Sequence, residues 1–116
     1  MTRNETRLRI MSQATEDVTG LWELTATPHS PAIDDVIDVL STLIRDGLVA
    51  VYRGTQFASE ETLLPAPAAR KEIRNRNFWD WSAAESGPHL RVFATPRGRG
   101  WYFAQGKPPA DTRLVS

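Results

Sequence analysis

One stretch of the chain repeats its apolar residues at helical spacing more clearly than any other. Ile33, Val36, Ile37, Leu40, Leu43 and Ile44 follow three- and four-residue steps, which wind onto one side of an α-helix. Ser30 and Pro31 stand before it as an N-cap and a first helical residue, where the N–H that proline lacks would have no helical partner anyway. Asp34 and Asp35 fall near the first turn, where the helix dipole favours negative charge. Gly47 ends the helix and is free to take a left-handed cap. The pattern then switches to alternation. Leu48, Ala50 and Tyr52 take one face and Val49, Val51 and Arg53 the other, which predicts a strand turned by Gly54. A second strand repeats the alternation, with Leu90, Val92 and Ala94 opposite Arg91, Phe93 and Thr95.

Weaker patterns fill the remainder. Residues 4–14 place Leu8 and Met11 at helical spacing, with Asn4 as a cap and Arg7 and Arg9 outside. Val18 and Thr19 interrupt that pattern, and "GLWEL" then begins a short second helix with Thr19 as its N-cap. Pro28 and Pro31 punctuate a loop. Residues 54–65 read as a polar loop, and Pro67–Arg76 as a helix with a basic outer side. The aromatic cluster after it, Phe78, Trp79 and Trp81, is expected to close over the core. At "TPRGRGWYF", Thr95 can cap a helix, Pro96 suits its first position, and Gly98 permits close packing against the strand. Gly100 counts against a long helix, and "GWYF" fits the return strand of a hairpin as the alternative.

The order helix, helix, helix, strand, insertion, strand resembles the winged-helix variant of helix-turn-helix. Three segments carry the likeness: "TGLWEL" as the start of the second helix, "DVIDVLSTLIRDGLVAVYRG" as the third helix running into the first wing strand, and "LRVFATPRGRGWYF" as the last wing strand and a following helix start. An insertion of about 35 residues separates the two paired strands. With a tryptophan-bearing segment in that place, the chain also resembles small uncharacterised actinobacterial-type winged-helix proteins. The resemblance implies an α+β domain over residues 1–104, with a three-helix core, a small antiparallel β-hairpin and a long insertion between its strands. Residues 105–116 are expected to form a loose C-terminal tail. It also implies DNA binding, the usual employment of this fold.

Composition narrows the classes. With 116 residues, 41% hydrophobic and 24% charged, the chain suits one folded domain with a modest core. It has no cysteine, which removes disulfides, thiol nucleophiles and cysteine-based zinc sites. The first residues lack the apolar run of a signal peptide, and no apolar run approaches the roughly 20 residues of a membrane helix. A cytoplasmic protein without membrane contact is expected. Formal net charge is zero, yet the charge is unevenly placed. Residues 31–62 carry six acidic and two basic groups, whereas residues 63–116 carry nine basic and four acidic. Such asymmetry marks either binding surfaces or two halves that neutralise each other on folding.

That asymmetry shapes the candidate chemistry. The third helix of a winged helix usually enters the major groove. Here its polar side reads Asp34, Asp35, Asp38, Ser41, Thr42, Arg45 and Asp46, and its carboxylates would be repelled by phosphates. If DNA is bound, the basic second half is the expected contact: Arg70, Lys71, Arg74, Arg76, Arg91, Arg97 and Arg99. In that case the protein is a small DNA-associated protein, a transcriptional regulator being the example. The alternative is a protein-interaction module of antitoxin or immunity type. Its acidic helix (Asp34, Asp35, Asp38) would receive a basic partner, with Trp79, Trp81 and Trp101 as further partner or homodimer contacts. Catalysis finds no motif. His29 and His89 stand apart beside prolines, and no phosphate loop or nucleophile elbow is present. No enzyme, metal or cofactor is expected.

Overall fold

The computed structural model describes residues 2–26, 31–55, 61–80 and 87–105. Helix α1 spans Arg3–Glu16. Its cap is Thr2 rather than Asn4: the Thr2 hydroxyl accepts the Glu5 N–H, and the Glu5 carboxylate accepts the Thr2 N–H. These bonds, with the backbone one first, hold the Glu5 carboxyl below its ordinary range. Strand β1 follows over Thr19–Gly20, then a single 3-10 turn over Leu21–Thr25. The expected second α-helix is therefore this turn. Thr19 is a strand residue rather than its cap, because its hydroxyl is engaged on the Gln13 and Asp17 carbonyls.

Helix α2 spans Ile33–Arg45. It begins two residues later than the proline suggested, with Ala32 at the N-cap and Pro31 outside; Ser30 lies outside the described residues. Gly47 adopts φ 76°, the left-handed cap expected of it. Strand β2 covers Val49–Thr55 and does not turn at Gly54, because Gly54 and Thr55 remain paired with β4. Within the expected polar loop lies strand β3, Thr62–Leu64, paired antiparallel to β2. Helix α3 is shorter than predicted, Ala66–Glu72, and Arg76 opens a second 3-10 turn over Arg76–Trp79. Strand β4 spans Pro88–Ala94 and helix α4 spans Pro96–Gln105.

The fold is α+β. The described strands form an antiparallel sheet with strand order β1-β4-β2-β3. Alternation sets its core face: Val49 and Val51 of β2, and Leu90, Val92 and Ala94 of β4, are buried. Ile10, Met11 and Ala14 from α1, and Val36, Ile37, Leu40, Leu43 and Ile44 from α2, pack into the same cluster. Ile73, Phe78 and Trp79 extend that cluster from the inserted segment, so Phe78 and Trp79 close over the core as expected.

The segment "TPRGRGWYF" is helical. The Thr95 hydroxyl accepts the Gly98 N–H and donates to the Gly47 carbonyl at 2.7 Å. Gly98 is buried against the start of β2. A Cβ there would sit 2.8 Å from the Leu48 carbonyl carbon and closer still to its oxygen. A Cβ added at Gly100 would meet nothing within 4 Å, and Gly100 is accommodated within the helix.

Candidate functional site

The inserted segment lies against α2, and its arginines meet the side of α2 that was expected to face solvent. Arg70 of α3 donates through Nε to the Ser41 hydroxyl at 3.0 Å. Ser41 is consequently buried, with 3% exposure, and is not part of an open polar face. Arg74 stands 3.8 Å from Asp38, and Arg76 is ion-paired with Asp34. Those carboxylates and guanidiniums are more than half exposed, so each pair contributes little net stability, about 0–1 kcal/mol. Asp35 is exposed and makes no ion pair among the described residues.

Stronger contacts fix the segment. The Trp79 indole N–H donates to the Ile73 carbonyl at 2.7 Å, in a fully buried bond at the end of α3. Arg53 of β2 donates to Glu72 at 2.8 Å, and its guanidinium lies 5.8 Å from the Phe78 ring centre. Trp79 is thus a core residue with its polar atom satisfied. Trp81 lies outside the described residues.

The remaining predicted basic residues are dispersed. Lys71 is exposed and makes no ion pair among the described residues. Arg91 sits on the outer face of the sheet, 4.0 Å from Glu61. Beside it, His89 is 3.9 Å from the same carboxylate and packs edge-on to Trp22. Burial, then the Arg91 charge, push the His89 pKa below its ordinary value, against an opposing pull from Glu61. Arg99 reaches back to the end of α1 and donates to the Thr15 carbonyl.

Arg97 points the other way, toward a region that charge counting along the chain did not mark. A cleft of about 310 Å³ opens between the first turns of α1, the last turn of α2 and helix α4. Arg3, Arg7, Arg45 and Trp101 line it, together with Asp46, Thr42, Leu43 and Leu48. Asp46 is its acidic member. The hydrogen bond from Arg45 holds the Asp46 carboxyl below its usual range, and the charges of Arg7 and Arg97 add to that pull. The sequence signal for this site is slight: Arg3 and Arg7 share a helical face at four-residue spacing. Arg45 and Arg97 join them only through the tertiary fold.

Among the described residues no group of three or more His, Asp or Glu side chains is arranged to hold a metal ion. No helix among them is long and apolar enough to cross a membrane. No protein-family model, curated protein or solved structure matches this chain.

Proposed function

We propose that the protein is a winged-helix-like, DNA-associated protein, of the kind that regulates transcription, and that it holds the phosphate backbone with arginines outside α2. The chain path supports the fold reading: α1, β1, the 3-10 turn, α2 and β2 follow in order, and β4 runs between β1 and β2. The insertion adds β3, α3 and the second 3-10 turn between the two long strands. The observation that carries the functional part is the state of α2. Asp34 and Asp38 are met by Arg76 and Arg74, and Ser41 is covered by Arg70. A helix so charged and so covered does not read base edges in a major groove. Phosphate contact then falls to side chains elsewhere: Lys71, Arg91 and Arg97 from the basic half, and the arginines of the cleft.

A gel-retardation series with random-sequence duplex at low salt tests this. Retardation that weakens steeply with added salt is expected, and the Lys71→Ala, Arg97→Ala double variant should weaken it across all sequences alike. No retardation at low salt overturns the reading. A second reading, capture of a basic protein by α2, draws on the exposed and unpaired Asp35 and on the openness of its neighbours' ion pairs. It predicts a partner whose binding is abolished by changing Asp34, Asp35 and Asp38 to Asn.

A further inference from the structure

We propose that the cleft lined by Arg3, Arg7, Arg45 and Trp101, with Arg97 beside it, is a binding site for a phosphate ester. Arg3, Arg7 and Arg45 line the cleft with one carboxylate, Asp46, and the Arg97 charge also acts on that carboxylate, so the cleft carries a net positive charge that its own lining does not balance. Arg45 is engaged with Asp46 at 3.0 Å, whereas Arg3, Arg7 and Arg97 make no ion pair among the described residues. The Arg7 Nε–H is buried and has no hydrogen-bond partner. A buried donor left unmade is costly, and it marks Arg7 as a side chain whose hydrogen bonding the fold leaves incomplete.

Ligand class follows from the donor set. Guanidinium forks match the oxygens of a phosphate, and several of them outmatch the single charge of a carboxylate. A volume of about 310 Å³ lies at the small end of ligand clefts, roughly 300–1,000 Å³. Trp101 is half-buried, packed on the core at one side and exposed to the cleft at the other. Its indole offers an apolar wall for the sugar or base attached to the phosphate. The phosphate ester has two sources, a free nucleotide or a nucleic-acid strand. In the second case the inference rests on the proposed function and locates its phosphate contact.

Nuclear magnetic resonance of the arginine Nε–Hε groups tests the site directly. The intact protein is titrated in separate arms with inorganic phosphate, a nucleoside 5′-monophosphate, a short 5′-phosphorylated single strand and a random duplex. Potassium chloride at matched ionic strength is the control. The expected result is a saturable shift of the Arg7 and Arg45 signals with phosphate compounds and not with chloride. Arg7→Gln should weaken it about tenfold or more. Tighter binding of the nucleotide than of inorganic phosphate, lost in Trp101→Ala, assigns a free nucleotide; a shift given only by the strand or the duplex assigns nucleic acid. No saturable shift in any arm, or equal shifts with chloride, overturns the proposal. So does unchanged affinity in the folded Arg7→Gln and Arg45→Gln variants. Duplex retardation that survives both variants, with no saturable shift in any arm, overturns the cleft and leaves the DNA reading standing. Nucleotide binding without duplex binding does the reverse.

Discussion

Two groups of arginines on this molecule have opposite fates. Those of the inserted segment (Arg70, Arg74 and Arg76) lie on α2, where each meets a hydroxyl or a carboxylate of that helix. Those at the cleft gather from three helices: Arg3, Arg7 and Arg45 line it together with Asp46, and the charge of Arg97 reaches the same carboxylate. By count along the chain, the first group stands in the basic half and three of the second stand in the balanced or acidic part. The difference teaches that binding charge is what folding leaves uncompensated. A basic run can be consumed internally, while scattered arginines assemble a field.

The comparison can be broken from either side. Gly98→Ala strikes the cleft hardest, because its Cβ would collide with the Leu48 backbone and push α4 outward with Arg97 and Trp101. A loss of about 3 kcal/mol or more in urea unfolding is expected. Any phosphate binding should weaken with it. Ile73→Ala strikes the other side. It removes a fully buried anchor beneath the inserted segment and should cost about 2–4 kcal/mol in the same measurement. Asp34→Asn with Asp38→Asn sharpens the contrast without breaking the fold. Both pairs are exposed, so the stability change should stay within about 1 kcal/mol, whereas Arg74 and Arg76 are released. Duplex affinity at low salt should then rise, and its salt dependence should steepen.

The smallest effect concerns pH. His89 has its folded pKa below the unfolded value near 6.5, so above that value both states are neutral and contribute equally. As the pH falls through 6.5 the unfolded state takes up a proton that the folded state refuses, and stability declines. A shallow fall in the melting temperature between pH 7 and the folded pKa is expected, and His89→Gln should flatten it. Neither arginine group touches His89, so the cleft's phosphate affinity should keep its pH profile in that variant.

Much of the fold was legible because local chemistry and burial agree. α2 and the long strands β2 and β4 follow their apolar periods, Gly47 caps through its freedom to take positive φ, and Thr95 caps through its hydroxyl. Misreadings occurred where tertiary contacts overrode local signals. Pro31 suggested an earlier helix start than Ala32 allows, and Gly54 suggested a turn where β4 pairing extends the strand. The three residues of β3 are too exposed and too few to alternate visibly, and their pairing with β2 alone defines them. The predicted site was half legible. The acidity of α2 is plain in the sequence, but its neutralisation depends on residues about 30 to 40 positions away. The cleft was illegible because it joins the beginning, middle and end of the chain.

Helix α4 carries one further consequence, which lies in the tripeptide Arg97-Gly98-Arg99. Successive residues of an α-helix are about 100° apart, so two arginines separated by one residue diverge by roughly 200°. Here the residue between them is pressed against Leu48, which fixes the rotation of the helix about its own axis. One guanidinium is thereby turned toward the Gly47 turn and Asp46, and the other toward the end of α1. The two cannot grip a single small ligand together. The tripeptide acts as a divider of charge between opposite flanks of the domain.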